Sequence, residues 1–199
     1  MIRIDELLKA YRLGYFPMAN PEDGKLYWCQ PHNRAVFPLD SYKPSRQVKR
    51  VIRNNEYAVT IDKAFESVIW QCAAPRRNDS TTWISDDIVE AYLMLHTLGV
   101  AHSFESWHEG ELAGGLYGVA MGAAFFGESM FFRRSYASQV AFDRLVSHLR
   151  QRGYLLLDAQ IMNPHLEKLG AVEITHDEYM RQLLPALKKK IVFLEAGEM

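Results

Sequence analysis

The sequence predicts a mixed α/β fold, a sheet flanked by helices, and three adjoining stretches carry that prediction. Residues 112–127 (LAGGLYGVAMGAAFFG) hold no charge and include Gly114, Gly115, Gly118, Gly122 and Gly127. A membrane span needs ~20 apolar residues, and each glycine inside a helix costs about 1 kcal/mol. Two strands turning at Met121-Gly122 therefore fit better, because glycine suits turns and close backbone approach. Next, Val140, Ala141, Leu145, Val146 and Leu149 recur at helical spacing, with Ser138 or Ser135 available as N-cap and Gly153 as the stop. Finally, Tyr154-Leu155-Leu156-Leu157 is a short apolar run of the kind covered on both faces of a sheet. It ends in Asp158 and Gln160, two apart and so on one face at the strand's exit, where α/β folds place their sites.

The other elements follow from local chemistry. Asp5 to Leu13 reads as a short amphipathic helix capped by Asp5 and closed by Gly14. Leu26 to Trp28 and Arg34 to Phe37 read as short strands, separated by Pro31 and ended by Pro38. Ser45 to Arg53 is a helix with Val48, Val51 and Ile52 on one face. Arg46, Lys49, Arg50 and Arg53 fall at i, i+3, i+4 and i+7 on another. A solvated face and a phosphate contact both fit that row; no acidic residue interrupts it, whereas faces built for solubility mix signs. Tyr57 to Ile61 is a strand, Ala64 to Cys72 a helix, and Pro75 to Thr82 a polar loop. Trp83 stands directly before a helix capped by Ser85 and closed at Leu98-Gly99, placed either to pack or to stack on a base. His102 to Trp107 and Glu111 to Gly114 flank a hairpin turn at His108-Glu109-Gly110. Beyond Gln160 come a helix from Pro164 to Leu169 with Gly170 as C-cap and a strand from Ala171 to Ile174. A last helix begins at Asp177, and an edge strand is placed at Ile191 to Leu194.

Composition narrows the function. Lysine and arginine number 23 against 24 aspartate and glutamate, so a nucleic-acid partner must be met by a local patch rather than by net charge. Cys29 and Cys72 lack CxxC spacing, no HExxH pair exists, and His96, His102 and His108 fall on different elements, so no metal site is expected. GxGxxG, GxxxxGK[ST] and Gly-x-Ser-x-Gly are all absent, which argues against nucleotide-fold enzymes and serine hydrolases. The first five residues carry charge without an apolar core, so no signal peptide is expected and the chain is placed in the cytoplasm, with no membrane partner. Glu128 is a carboxylate set in apolar sequence, a site candidate because burial demands a partner or a raised pKa. The alternation of strands and helices over 102–174, with one long helix between strands, is compatible with an acetyltransferase-like fold. That class grips CoA through a Gly- and Arg-rich loop, and residues 132–137 (FRRSYA) contain no glycine.

Together these pieces resemble the leucyl/phenylalanyl-tRNA–protein transferase family. The matching segments are AYRLGYFPM (10–18), QPHNRAVFPL (30–39), TWISDDIVEAYLMLHTLGVAHSFESW (82–107), GGLYGVAMGAAFFGESMF (114–131), ASQVAF (137–142) and LLLDAQIMNPHLEKLGAVEI (155–174). The resemblance implies a small N-terminal domain, trimmed relative to other members and spanning 1–40, and an acetyltransferase-like catalytic domain over 41–199. It implies transfer of Leu or Phe, less readily Met, from aminoacyl-tRNA to the α-amine of proteins beginning with Arg or Lys, marking them for degradation. No cofactor is implied, neither metal, ATP nor CoA, because the aminoacyl ester is already activated. By position, Asp158 and Gln160 match the catalytic D-x-Q and Glu128 the glutamate of GESMF. Leu116, Phe125, Met130 and Phe142 fall where the family lines its amino-acid pocket, and Trp83 falls near the terminal adenosine. Arg46, Lys49, Arg50 and Arg53 fall on its tRNA-binding helix. Met18 stands where some members have Trp, and Gln139 replaces a common Lys.

Aminolysis of an ester needs an acceptor for the amine's proton and hydrogen bonds to the developing oxyanion. Asp158 is expected to hold the amine and Gln160 to donate or relay beside it. Two other readings stand: an acyl-CoA-dependent N-acetyltransferase of similar fold, and an RNA-binding adaptor that uses the basic helix alone.

Overall fold

The computed structural model describes residues 2–20, 22–75 and 82–195, so most of the polar loop expected at 75–82 lies outside the described residues. The elements, in chain order, are α1 (Ile4–Arg12), β1 (Phe16–Ala19), β2 (Leu26–Cys29), β3 (Asn33–Phe37), α2 (Arg46–Arg53), β4 (Ala58–Ile61), α3 (Phe65–Ala73) and α4 (Asp86–Thr97). They continue with β5 (Ala101–His108), β6 (Glu111–Met121), β7 (Ala124–Phe132), α5 (Ala137–Arg152), β8 (Leu156–Gln160), α6 (Pro164–Leu169), β9 (Val172–Thr175) and α7 (His176–Leu187). The expected mixed sheet flanked by helices is present. Seven strands run in the order β4-β5-β6-β7-β8-β3-β9, and β1 and β2 form a separate ribbon. Every neighbouring pair is antiparallel except β7 and β8, which α5 joins as a crossover.

The glycine-rich stretch turns where expected, at Gly122. That residue has φ of 59°, and a Cβ there would lie 2.5 Å from the Ala186 carbonyl oxygen of α7. Alternation along the strands then sorts the core. Leu116, Phe125 and Leu157 face α5 with Ala141, Phe142 and Leu145. Their chain neighbours Tyr117, Phe126 and Leu156 face α1, α3, α4 and α7, with Leu7, Tyr11, Ile69, Tyr92 and Tyr179.

Several local expectations differ. β3 lies within the segment expected as an N-terminal domain, yet it is a strand of the large sheet between β8 and β9. Its apolar residues 35–37 are all buried there because the sheet is covered on both faces, Val36 entering one core cluster and Phe37 the other. α1 is preceded by Arg3 rather than capped by Asp5, which instead accepts from the Arg3 guanidinium. Neither Ser135 nor Ser138 caps α5. Its N-cap is Tyr136 in the left-handed region (φ 67°), and Ser138 is buried within the helix, against Gly114 of β6. Ser85 precedes α4 without a side-chain capping bond, and α7 begins at His176 with Thr175 as its cap. Residues 191–194 form no strand. Phe193 is buried instead among Phe104, Phe125, His102 and His148, which holds the segment by side-chain packing rather than by a ladder.

Candidate active site

β7 and β8 pair only at Ala124/Leu156, Phe125/Leu157 and Phe126/Asp158. Beyond those positions no ladder joins them, and a cavity of about 1140 Å³ occupies the fork, lined by residues 127–133 of one strand and its exit and 157–161 of the other. One wall is apolar: Phe37, Leu116, Met130, Phe142, Leu145 and Leu157. Phe16, Met18 and Trp83 line another part, and Trp83 also packs against the core on that side. A large concave site with an apolar wall and a few convergent polar groups is the usual form of a small-ligand pocket.

The polar groups come from the strand face opposite α5. Asp158 follows Leu156 by two and so points toward α1 and α7. Its carboxylate is wholly buried against a buried guanidinium: the Arg34 and Asp158 side chains are 1% and 0% exposed. Oδ1 accepts from Arg34 Nε at 2.9 Å and from its own strand's Gln160 N–H at 2.8 Å. Oδ2 accepts from an Arg34 terminal nitrogen at 2.6 Å and from the Tyr179 hydroxyl at 2.8 Å. Four donors surround two oxygens, so the carboxylate has no free side from which to grip an amine. Arg34 in turn donates to the Gly14 carbonyl and lies between the Phe16 and Tyr179 rings. Burial works against its charge, but Asp158 outweighs burial through charge and hydrogen bonds and holds the guanidinium above its ordinary range.

Gln160 sits at φ 64°, a left-handed backbone that costs a non-glycine residue of order 1–3 kcal/mol. Two hydrogen bonds offset that strain: the Gln160 N–H donates to Asp158 Oδ1, and its side-chain Nε2 donates to Glu128 Oε1 at 3.0 Å. Tyr11 of α1 donates its hydroxyl to the same oxygen at 2.6 Å and is also bonded to the Tyr92 hydroxyl of α4. Glu128 Oε2 is buried with no hydrogen-bond partner. Burial pushes the Glu128 carboxyl up to about 7, against the hydrogen bonds from Tyr11 and Gln160 and the influence of the nearby Tyr92 hydroxyl, with the Asp158 charge adding to the rise. Burial, followed by the Glu128 charge, raises Tyr11, Tyr92 and Tyr117 well above their ordinary range, so all three keep their hydroxyl protons, and the buried Tyr117 hydroxyl has no hydrogen-bond partner.

Of the expected site residues, the fork brings together Asp158, Gln160, Glu128, Leu116, Met130, Phe142 and Trp83. It does not include Phe125. That ring is fully buried on the α5 face, stacked on Phe193 behind the cavity wall. Phe125 shares the α5 face with Leu116 and Leu157 but lies where β7 is still paired with β8, opposite Leu157, before the fork opens. Arg46, Lys49, Arg50 and Arg53 are all exposed on α2, outside the cavity, while Val48 and Val51 pack against Val140 of α5. None of the four makes an ion pair within 4.0 Å among the described residues. Sequence reasoning missed Arg34, Tyr11, Tyr92 and Tyr179. The one available signal was a lone cation opening the apolar strand 34–37. No group of three or more His, Cys, Asp or Glu residues able to hold a metal occurs among the described residues, and none of their helices is long and apolar enough to cross a membrane.

Residues 36–184 match the family model described as leucyl/phenylalanyl-tRNA protein transferase, and residues 1–32 match that of its N-terminal domain. The chain is 73% identical over 194 residues to the leucyl/phenylalanyl-tRNA–protein transferase of Pelodictyon phaeoclathratiforme, covering 98% of this chain and 100% of that one. It is 72% identical to the protein of that name from Chlorobium phaeobacteroides, with the same coverage. The one from Rhizorhabdus wittichii is 48% identical, over 92% of this chain and 74% of its own length. Among solved structures, L-PGS from Bacillus licheniformis aligns with a TM-score of 0.47 at 10% identity, over 92% of this chain and 70% of that one.

Proposed function

The chain belongs to the leucyl/phenylalanyl-tRNA–protein transferase family and is an aminoacyltransferase that moves an amino acid from aminoacyl-tRNA to a protein; from that premise we propose its donors, acceptors and site. The donors are Leu-tRNA and Phe-tRNA, and less readily Met-tRNA. The acceptors are proteins with N-terminal Arg or Lys, which the added residue marks for degradation.

The observation that carries this reading is the fork itself, an apolar wall and a buried polar cluster meeting in one cavity. The donor's side chain lies against Leu116, Met130 and Phe142. An apolar pocket separates side chains by only about 1–3 kcal/mol per methylene, so overlapping use of Leu, Phe and Met is expected. The terminal adenosine lies toward Trp83, and the exposed basic row on α2 meets phosphates of the tRNA body. At the reacting end, Gln160 is the group that touches substrate. With its Nε2 committed to Glu128, the amide oxygen is left to accept an N–H from the attacking amine. Asp158 is a positioning residue, acting through the Gln160 backbone and the Arg34 pair rather than as the proton acceptor expected from sequence. The amine nitrogen attacks the ester carbon, the new C–N bond replaces the C–O bond to the ribose, and the amine's proton ends on the ribose oxygen. No ATP or CoA is consumed, because the ester is the activated species.

The test is incubation with charged Phe-tRNA and an Arg-starting peptide, in parallel with acetyl-CoA and the same peptide. Phenylalanylated peptide from the first arm alone is the expected result. Acetylation in the second arm, or tRNA binding without any transfer, would overturn the reading.

A further inference from the structure

We infer that Glu128 is the site's receptor for the free α-ammonium of the donor aminoacyl group, and that it makes a charged α-nitrogen a requirement for the donor. The inference rests on the transferase reading above and extends it to donor specificity.

The charged side chains of the cavity are few. Asp158 is fully engaged by Arg34, Tyr179 and the Gln160 N–H. Arg133 stands at the exposed rim and donates to Gln71. Of these charged groups, Glu128 alone combines burial, a place in the cavity wall and an oxygen without a hydrogen-bond partner: Tyr11 and Gln160 both hold Oε1, while Oε2, like the Tyr117 hydroxyl of the same wall, is buried with none. A buried carboxylate oxygen left bare is costly unless a ligand supplies the missing donor. An aminoacyl ester brings such a donor. Its α-carbon carries the apolar side chain and the ammonium together, and Met130 and Glu128 border the same cavity, so a side chain seated on Met130 can present the nitrogen to Glu128.

The acceptor's amine does not suit this carboxylate. Attack needs a neutral nitrogen with its lone pair free, and pairing with a carboxylate would favour the protonated form. The donor's ammonium is untouched by the reaction and can remain paired throughout. An ammonium placed in the cavity without an acceptor would be desolvated for nothing, so its partner contributes to selection as well as to binding.

The experiment compares Phe-tRNA with phenyllactyl-tRNA, in which a hydroxyl replaces the α-ammonium, as donors to one Arg-starting peptide. The readout is the ratio of their kcat/KM values. The wild-type enzyme should prefer Phe-tRNA by about 10- to 100-fold, the range a charge-assisted hydrogen bond supplies. In Glu128→Gln the ratio should collapse to within a few-fold, by loss of Phe transfer with phenyllactyl transfer kept. Tyr11→Phe, which removes bonds to Oε1 and to the Tyr92 hydroxyl but none to Oε2, should keep the wild-type ratio. Equal use of both donors by the wild-type enzyme would overturn the inference whether or not any variant folds. So would an unchanged ratio in Glu128→Gln. Failure of the wild-type enzyme to transfer Phe at all would instead overturn the transferase reading on which the inference rests.

Discussion

Replacing Asp158 by Asn tests most directly what the Arg34–Asp158 pair does. The substitution preserves shape but removes the charge facing a guanidinium that is itself buried and held firmly protonated. One oxygen becomes an NH2 group. At the Oδ2 position that group would face two donors, an Arg34 nitrogen and the Tyr179 hydroxyl. Breaking a buried pair from one side typically costs 3–5 kcal/mol, because an uncompensated charge remains, so a loss of about 3–5 kcal/mol is expected here. For a chain of this size each kcal/mol lowers Tm by about 2–4 °C, giving a drop of about 6–20 °C. Urea unfolding of wild type, Asp158→Asn, Arg34→Met and the double variant forms a cycle. The double variant, with no stranded charge, should regain a large part of the loss, leaving a strong coupling energy between the two sites. Single-turnover transfer from Phe-tRNA, run below every variant's unfolding range, supplies the second readout. Wild-type stability combined with a 10²- to 10⁴-fold rate loss is what a general base would show. That result would refute the positioning role and restore Asp158 as the proton acceptor.

Three further outcomes are expected. Changing Arg46 and Lys49 to Glu should weaken tRNA binding and reduce the slope of log K against log salt by roughly 1.4–1.8, two phosphate contacts' worth, with unfolding unchanged; an unaltered slope returns α2 to a solvated face. Met130→Ala should open the apolar wall and shift the Leu-to-Phe preference toward the larger side chain by about 10-fold, measured by competition between the two charged tRNAs; equal losses for both donors would show that Met130 does not meet the side chain. Stability should also depend on pH through Glu128, which is faced by Tyr11, Tyr92, Tyr117, Asp158 and, farther off, Arg34. Its carboxyl rises on folding from 4.5 to about 7, so the neutral form is favoured. The associated stability is fully present below pH 4.5 and lost as pH rises through about 7, by about 3 kcal/mol; denaturant titrations of wild type and Glu128→Gln at pH 5 and pH 8 would show the difference, and parallel curves would contradict it.

Much of this protein was decided locally and could be read from the chain. Helical spacing in 140–149, the glycine turn at 122 and the apolar run ending at Asp158 each depend on neighbours within a few residues, and each element formed where its local chemistry required. The pairing of Asp158 with Gln160 was equally visible, because strand period places positions two apart on one face. What the sequence could not show was which distant groups would meet. Arg34 reaches Asp158 across 124 positions and Tyr11 reaches Glu128 across 117, contacts that exist only because β3 inserts between β8 and β9 and α1 lies on the same face as α4. Those partners set the surroundings of the two carboxylates. A carboxylate's chemistry depends on how many donors surround it and how much water remains, and both are set by packing. Tertiary structure surrounds Asp158 with four donors and leaves one oxygen of Glu128 bare.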